Sequence, residues 1–199
     1  LESRYSALKE HVNKDGKDDI IIGAYGADAD GTSNAGETYV VFGKKSFSRS
    51  LKLSSLSGSN GFRLDGDYTN DYSGWSVDTA GDMNNDGYDE IIIGAWNANT
   101  GTEGINAGET YVVFGDKKFS KSLDLADLNG TDGFRLDGNM VNDFSARSVS
   151  TAGDVNGDGF GDEGDFVIDC EPPSGYVSNA DDCDDSNFDI NPDATEICN

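Results

Sequence analysis

Three nine-residue segments of the chain place oxygen-bearing side chains at spacings that suit a cation-binding loop. Residues 82–90 and 154–162 carry Asp, Asn or Glu at positions 1, 3, 5 and 9, with glycine at position 6. Residues 11–19 keep this pattern except at position 1, where His11 stands. Hard cations prefer oxygen ligands, and glycine permits the sharp bend of a short loop. The spacing therefore predicts calcium-binding loops.

The predicted ligands are the side chains at positions 1, 3, 5 and 9 and the backbone carbonyl at position 7. These residues are Asp82, Asn84, Asp86, Tyr88 and Glu90 in one loop, Asp154, Asn156, Asp158, Phe160 and Asp162 in another, and Asn13, Asp15, Lys17 and Asp19 in the third. The alternative is a hairpin closed by Asx turns without an ion. Crowded carboxylates repel one another unless a cation neutralises them, which favours an ion at 82–90. The imidazole of His11 leaves both interpretations open for 11–19, and we expect weaker calcium binding there.

The residues that follow the loops predict β-strands. An EF-hand would need a bidentate Glu at position 12 and a helix after it, but position 12 is Ile22 in one loop and Ile93 in another. Both lie in an Ile-Ile-Ile-Gly-Ala run, which is β-branched and typical of a strand covered on both faces. The loops are therefore predicted to connect the two strands of a hairpin.

The chain is also an internal repeat with a period of 72 residues. The run Gly-Glu-Thr-Tyr-Val-Val-Phe-Gly occurs at 36–43 and 108–115, and Gly-Phe-Arg-Leu-Asp-Gly occurs at 61–66 and 133–138. One repeat contains four strand candidates, at 76–82, 90–95, 110–114 and 134–136. The strongest helix candidate is a single turn around Leu123–Leu128. Four short antiparallel strands per repeat indicate the blade of a β-propeller.

These motifs, in this order and spacing, resemble FG-GAP repeats, the blades of integrin α-subunit β-propellers and of many bacterial secreted proteins. The resemblance covers about residues 11–162 and implies an all-β, calcium-stabilised fragment within a domain at 1–162. We expect a partial β-propeller of two full four-stranded blades plus partial ones, because a closed propeller needs about four to eight blades. The first blade departs from the family at His11. We expect the chain to be an excerpt of a longer secreted protein, with further blades upstream.

The C-terminal segment, 163–199, has a different character. It resembles a Cys-containing metal-binding motif of bacterial secreted and surface proteins, akin to thrombospondin-type calcium repeats. The motif implies an irregular tail in which Asp165, Asp182, Asp184 and Asp185 bind a cation, although a solvated acidic run is the alternative for 181–189. Because Asp165 replaces isoleucine at position 12 of its loop, the module could instead begin at 154.

The cysteines lie in this tail. Cys170 and Cys183 flank a Pro/Gly turn, so we expect a disulfide between them in an oxidising compartment, which leaves Cys198 without a partner. A zinc site has little support, because no Cys-x-x-Cys spacing occurs.

Composition excludes several classes of function. The chain has 38 acidic and 14 basic residues, a net charge of −24, which argues against nucleic-acid and anionic-membrane partners. No apolar run approaches the ~20 residues that a membrane span needs. No catalytic motif occurs, and the acids are better explained as calcium ligands than as a general acid and base.

Together these features predict a non-catalytic, calcium-binding module, extracellular or on the cell surface, for adhesion or for interaction with a protein or glycan. An accessory domain of a secreted polysaccharide-degrading or phospholipase-type enzyme, with its active site elsewhere, is the main alternative, and a calcium-buffering surface-layer component is another. The repeated aromatic residues Tyr39, Phe62, Tyr111 and Phe134 are predicted to form core between blades. Trp75 and Trp96 are not repeated, so one of them could be exposed for a partner.

Overall fold

The computed structural model describes residues 11–84, 86–100 and 105–151. This part of the chain contains eight strands and two single-turn 3₁₀ helices and is all-β, as predicted. The strands are β1 (Ile20–Ala24), β2 (Glu37–Val41), β3 (Gly61–Asp65), β4 (Ser76–Gly81), β5 (Glu90–Ala95), β6 (Glu109–Val113), β7 (Ser122–Asp124) and β8 (Gly133–Asp137). The 3₁₀ helices are Leu53–Ser55 and Leu125–Asp127. The second of them is the helical turn expected around Leu123–Leu128.

The strands form two four-stranded sheets that follow the sequence repeat. The first sheet has the order β1-β2-β3-β7 and the second has the order β4-β5-β6-β8. All neighbours pair antiparallel except β3 and β7, which pair parallel. The second sheet is the four-stranded blade that the sequence predicted. In the first sheet the fourth strand, β7, comes from the second repeat, so one blade completes the outer edge of its neighbour.

Register assigns the apolar residues of each sheet to two faces. In the second sheet, Ile91 pairs with Val113 and Ile93 with Tyr111, which places these four residues on one face. In the first sheet, Val40 pairs with Phe62, and Leu64 lies on the same face as both.

These two faces belong to one buried cluster, so the first sheet packs on the second. Burial of a side chain of this size is worth roughly 1.5–3 kcal/mol, and the blade-to-blade contact is therefore the main hydrophobic core. Of the four aromatic residues predicted to lie between blades, Tyr111 and Phe62 are buried, whereas Tyr39 and Phe134 are only partly buried.

Close backbone approach between the segments explains the repeated glycines. Gly36 has φ of +88°, and a Cβ atom at this position would lie 2.0 Å from the carbonyl oxygen of Ser73. Its counterpart Gly108 would meet Ser145 in the same way, at 2.1 Å. The glycine before the Glu-Thr-Tyr-Val-Val strand therefore allows the following repeat to reach the edge of the sheet.

We predict that Gly36→Ala destabilises the protein by about 2–4 kcal/mol, because it adds a backbone clash to the cost of a left-handed conformation. Gly31→Ala is the matched control. Gly31 has φ of +89°, but a Cβ added to it would meet no atom within 4 Å, so only the conformational cost of about 1 kcal/mol applies. Urea denaturation of both variants in the same calcium concentration measures the difference. Equal destabilisation of the two variants would contradict the steric explanation.

Candidate metal centre

The turn between β4 and β5 brings together three of the acids predicted at 82–90. One carboxylate oxygen from each of Asp82, Asp86 and Glu90 lies within 4.8 Å of the other two. Among the residues that the structure describes, this is the one group of three His, Cys, Asp or Glu side chains with such spacing. Three converging carboxylates repel one another in the absence of a cation, so the geometry suits a divalent ion.

Side-chain oxygens also hold the turn in shape. The carboxylate of Asp82 accepts hydrogen bonds from the N–H groups of Asp86, at 3.0 Å, and Gly87, at 2.7 Å. The Asn84 Oδ1 atom accepts a second bond from the Asp86 N–H, and Asp86 Oδ1 accepts one from the Tyr88 N–H, both at 2.9 Å. These are Asx turns, which the alternative interpretation without an ion also predicts. They place Asn84 in the turn, and the roles of the Asn84 side chain and the Tyr88 carbonyl as ion ligands stay predictions.

Glu90 differs from the other two acids because it is fully buried. Its Oε2 atom accepts a hydrogen bond of 2.5 Å from the Met83 N–H, whereas its buried Oε1 atom has no hydrogen-bond partner. Burial, with the charges of Asp82 and Asp86 adding to it, raises the pKa of Glu90 to about 7. A buried carboxylate without a partner is costly, and a cation beside it would remove that cost.

The loop at 11–19 has a different arrangement. The Lys17 ammonium lies 2.8 Å from Oδ2 of Asp15, so a positive charge from the chain itself neutralises the position-5 carboxylate. Asp19 is buried, and one of its oxygens accepts a 2.8 Å hydrogen bond from the Gly43 N–H while the other has no partner. Burial raises the pKa of Asp19 to about 6. Asn13 Oδ1 accepts a bond from the Asp15 N–H and closes the turn.

The two loops contact each other, which the sequence alone did not predict. The His11 N–H donates to the Asp89 carboxylate, and the Asp89 N–H donates to the His11 carbonyl at 3.2 Å. The Lys14 ammonium lies 3.3 Å from the Asp86 carbonyl oxygen and over the Tyr88 ring. Asp89 and Lys14 occupy loop positions that carry no ligand in the motif. The motif therefore does not predict the contacts that these two residues make.

The remaining predicted ligands lie outside the described residues. They are Asp154, Asn156, Asp158, Phe160, Asp162, Asp165, Asp182, Asp184 and Asp185. The three cysteines also lie there, and the disulfide between Cys170 and Cys183 stays a prediction.

Five aromatic side chains form a surface cluster, here called the aromatic patch: Tyr25, Tyr72, Trp75, Trp96 and Phe144. Tyr72 stacks on Trp96 with ring centroids 5.7 Å apart, and Trp75 meets Tyr25 at 4.7 Å. Tyr25 is 47% exposed and Trp75 is 40% exposed, which confirms that one of the two tryptophans is at the surface. The Arg147 guanidinium lies 5.9 Å from the centre of the Trp96 ring. Both apolar contact area and π faces are therefore available to a partner.

The FG-GAP repeat family model matches residues 12–41 and 73–113. The first segment includes most of the loop at 11–19 with β1 and β2, and the second includes the loop at 82–90 with β4, β5 and β6. The FG-GAP resemblance predicted from the motifs is therefore confirmed over these segments.

Two integrin α proteins are similar to the chain. Integrin alpha-PS5 of Drosophila melanogaster is 28% identical over 158 residues, which is 79% of this chain and 14% of the relative. Integrin alpha pat-2 of Caenorhabditis elegans is 31% identical over 144 residues, which is 64% of this chain and 11% of the relative. The chain thus spans a small fraction of the length of these relatives. No helix in the described part of the chain is long and apolar enough to cross a bilayer.

A buried acid beside the aromatic patch makes stability depend on pH. Asp71 is 2% exposed, its Oδ2 atom has no hydrogen-bond partner, and burial, followed by the charge of Glu109, raises its pKa to about 7. Because the folded protein favours the protonated acid, the cost of Asp71 is absent below pH 4. This cost grows as pH rises towards 7.

We predict that Asp71→Asn stabilises the protein by roughly 1–3 kcal/mol at pH 8 and by little at pH 4, since the amide cannot ionise. Asp143, the exposed counterpart of Asp71 one repeat later, provides the control. Asp143→Asn removes an exposed acid at the matching position and should not reproduce the stabilisation at pH 8. Parallel thermal melts from pH 4 to 8 measure both variants. If the stability of Asp71→Asn depends on pH in the same way as that of the wild type, Asp71 ionises in the folded protein without a cost in stability.

Proposed function

We propose that this chain is a calcium-binding extracellular module whose propeller-like blades present a surface for adhesion to another protein or a glycan. The observation that carries the calcium assignment is the buried, unpartnered Oε1 atom of Glu90 beside the carboxylates of Asp82 and Asp86. A set of oxygen ligands suits calcium better than zinc, which prefers nitrogen and sulfur donors. The Asn84 side chain and the Tyr88 carbonyl complete the proposed ligand set.

The proposed role in adhesion rests on the similarity to integrin α proteins and on the aromatic patch. Stacked, partly exposed aromatic rings provide a large contact area at a low cost in side-chain entropy. The same patch suits a sugar ring, which packs flat on an aromatic face. An extracellular or cell-surface location follows from the same similarity and supplies the calcium concentration that a weak loop site requires.

Catalysis is a less suitable explanation for the raised pKa of Glu90. A carboxylic acid with a pKa near 7 could act as a general acid or base. However, Glu90 is fully buried, and its other oxygen holds the Met83 N–H of the turn. A ligand role therefore accounts for both oxygens of Glu90 and for the two neighbouring carboxylates, and we propose that the module is not an enzyme.

We predict that 5 mM calcium stabilises the wild-type protein by about 2 kcal/mol, as expected for an extracellular site with Kd near ~10⁻⁴ M, and that Asp86→Ala removes most of this effect. Asp15→Ala changes the same position of the other loop. This variant should retain most of the stabilisation by calcium, because Lys17 already neutralises Asp15. Thermal melts with calcium and with EDTA distinguish the variants. Identical calcium responses in wild type and Asp86→Ala would refute the assignment.

We further propose that the loop at 11–19 binds calcium weakly through Asn13, Asp15, the Lys17 carbonyl and Asp19. His11→Asp should strengthen this site by about tenfold, because it restores an oxygen ligand at position 1. Calorimetric titration of the two proteins gives the affinity and the number of sites. A His11→Asp titration that superimposes on that of the wild type would count against calcium binding in this loop.

A further inference from the structure

The turn that leads into β8 carries the sequence pattern of an acceptor for N-linked oligosaccharides. Asn129-Gly130-Thr131 is an Asn-x-Thr tripeptide with a residue other than proline in the middle. No other asparagine in the sequence is followed two residues later by serine or threonine. A sugar at such a tripeptide is bulky and needs a surface position. The exposure of Asn129 and the conformation of its turn therefore decide whether the pattern marks a modification site.

The turn presents the asparagine and the threonine together at the surface. Asn129, Gly130 and Thr131 are all exposed. Asn129 Oδ1 accepts two hydrogen bonds from Thr131, one of 2.5 Å from the hydroxyl and one of 3.1 Å from the N–H. Asn129 Nδ2 donates to the Asp127 carbonyl at 3.4 Å, which is long for a hydrogen bond. The turn thus holds the oxygen of the carboxamide firmly and its nitrogen only weakly.

The first repeat contains the same turn with a different sequence. The Ser57 N–H donates to Asn60 Oδ1 at 2.9 Å, and the Asn129 N–H donates to Asp132 Oδ1 at 3.2 Å. The two donors are 72 residues apart in the sequence, as are the two acceptors. Ser57 is therefore the structural counterpart of Asn129, and Ser59 is the counterpart of Thr131.

This counterpart turn shows what a neighbouring blade does to the position. The second repeat packs closely on the turn of the first, since a Cβ atom added to Gly58 would lie 2.3 Å from the Phe119 carbonyl oxygen. Ser57 and Ser59 are nevertheless exposed. A blade that packs on the turn of the second repeat in the same way would therefore leave Asn129 open to solvent.

Asn129 and the aromatic patch lie at opposite ends of the second sheet. The Phe114 N–H, directly after β6, donates to the Asp132 carbonyl at 3.0 Å, so the turn lies at the C-terminal end of β6. Trp96 of the aromatic patch directly follows β5, whose last residue pairs with the first residue of β6. The five residues of β6 separate the two ends by about 13 Å. A sugar on Asn129 would leave the proposed binding surface uncovered.

We propose that Asn129 is an acceptor site for an N-linked oligosaccharide. In the transfer, Asn129 Nδ2 forms a bond to C1 of a sugar that is attached to a polyprenyl diphosphate. The bond from C1 to the diphosphate oxygen breaks, the lipid diphosphate leaves, and Nδ2 gives up one of its two protons to a base of the transferase. The second Nδ2 proton remains available to the Asp127 carbonyl, so the turn keeps its hydrogen bonds.

This site rests on the extracellular location proposed above, because asparagine acceptors are surface loops of secreted proteins. The sugar would make the end of the blade that carries Asn129 hydrophilic and crowded. A protein or glycan partner would then approach the opposite end, where the aromatic patch lies.

Secretion of the full chain from a eukaryotic cell line, behind a cleavable signal sequence, tests the proposal. We expect a mass excess that peptide N-glycosidase removes from the native protein without denaturant. The same enzyme leaves aspartate in place of the modified asparagine, which peptide mass spectrometry locates at 129. A secreted wild-type chain without the mass excess overturns the proposal.

Variants of the tripeptide test the acceptor itself. Asn129→Gln and Thr131→Ala should each lose the mass excess completely. Thr131→Ser keeps the hydroxyl and should keep the modification. A mass excess that persists in Asn129→Gln would place the sugar elsewhere and overturn the assignment.

The first repeat provides a matched test of exposure beside a neighbouring blade. Ser57→Asn combined with Ser59→Thr copies the Asn-Gly-Thr tripeptide into the turn on which the second repeat packs. This variant should carry a second sugar that peptide N-glycosidase also removes from the native protein. A second sugar that the enzyme removes only after denaturation, or no second sugar, would show that a packed blade closes this position.

Two further measurements separate this proposal from the proposed function. Glycosylated wild type and Asn129→Gln should gain the same stability from calcium, and enzymatic removal of the sugar should leave the fluorescence of Trp75 and Trp96 unchanged. A chain that responds to calcium but carries no sugar refutes the acceptor site alone. A glycosylated chain without a calcium response refutes the calcium assignment alone, and a change in tryptophan fluorescence would contradict the placement of the sugar away from the aromatic patch.

Discussion

A four-stranded sheet with two apolar faces is stable in water only when other elements cover those faces, and this constraint organises the whole chain. One face of the first sheet and one face of the second meet in one hydrophobic cluster. The second repeat also reaches across to supply β7 to the first sheet. Gly23 and Gly36 permit the close approach, since a Cβ on either would lie 2.0 Å from a backbone oxygen of the segment that leads into β4. The repeat is thus a packing unit that depends on its neighbours.

The second constraint is electrostatic, because a chain with a net charge of −24 must place its acids where something offsets them. Arg63 lies within ion-pair distance of Asp30, Glu37 and Asp65, and the hydroxyl groups of Tyr39 and Tyr111 donate to Glu37 and Glu109. The Lys17 ammonium offsets the charge of Asp15 in the same way. The carboxylates of Asp82, Asp86 and Glu90 instead lie close to one another, and the buried Oε1 atom of Glu90 has no hydrogen-bond partner. This contrast between the two loops is the reason for proposing that the second loop holds an ion more strongly than the first.

The two hairpin loops also act as a structural pair. Reciprocal hydrogen bonds join His11 and Asp89, and Lys14 reaches the backbone of the turn at 82–90. The Asp116 N–H donates to the Val12 carbonyl, and the Val12 side chain is fully buried in the main cluster. The first loop is therefore anchored in the core and hydrogen-bonds to the second loop. These contacts connect the proposed ion site to the packing of the blades.

The sequence by itself determined the all-β class, the period of the repeat and the strands of the second sheet to within a residue or so. These depend on local properties: β-branched runs, turn residues and Asx spacing. Only the tertiary structure decided that β7 pairs with β3, that Lys17 lies on Asp15, that Asp89 meets His11, and that Glu90 is buried without a partner for Oε1. It also decided that Leu64 is buried and Leu136 exposed, although the two residues have the same local sequence. The reason is that the burial and the charge partners of a residue depend on the element that packs against it. The two repeats have the same local sequence patterns, but different elements pack against them.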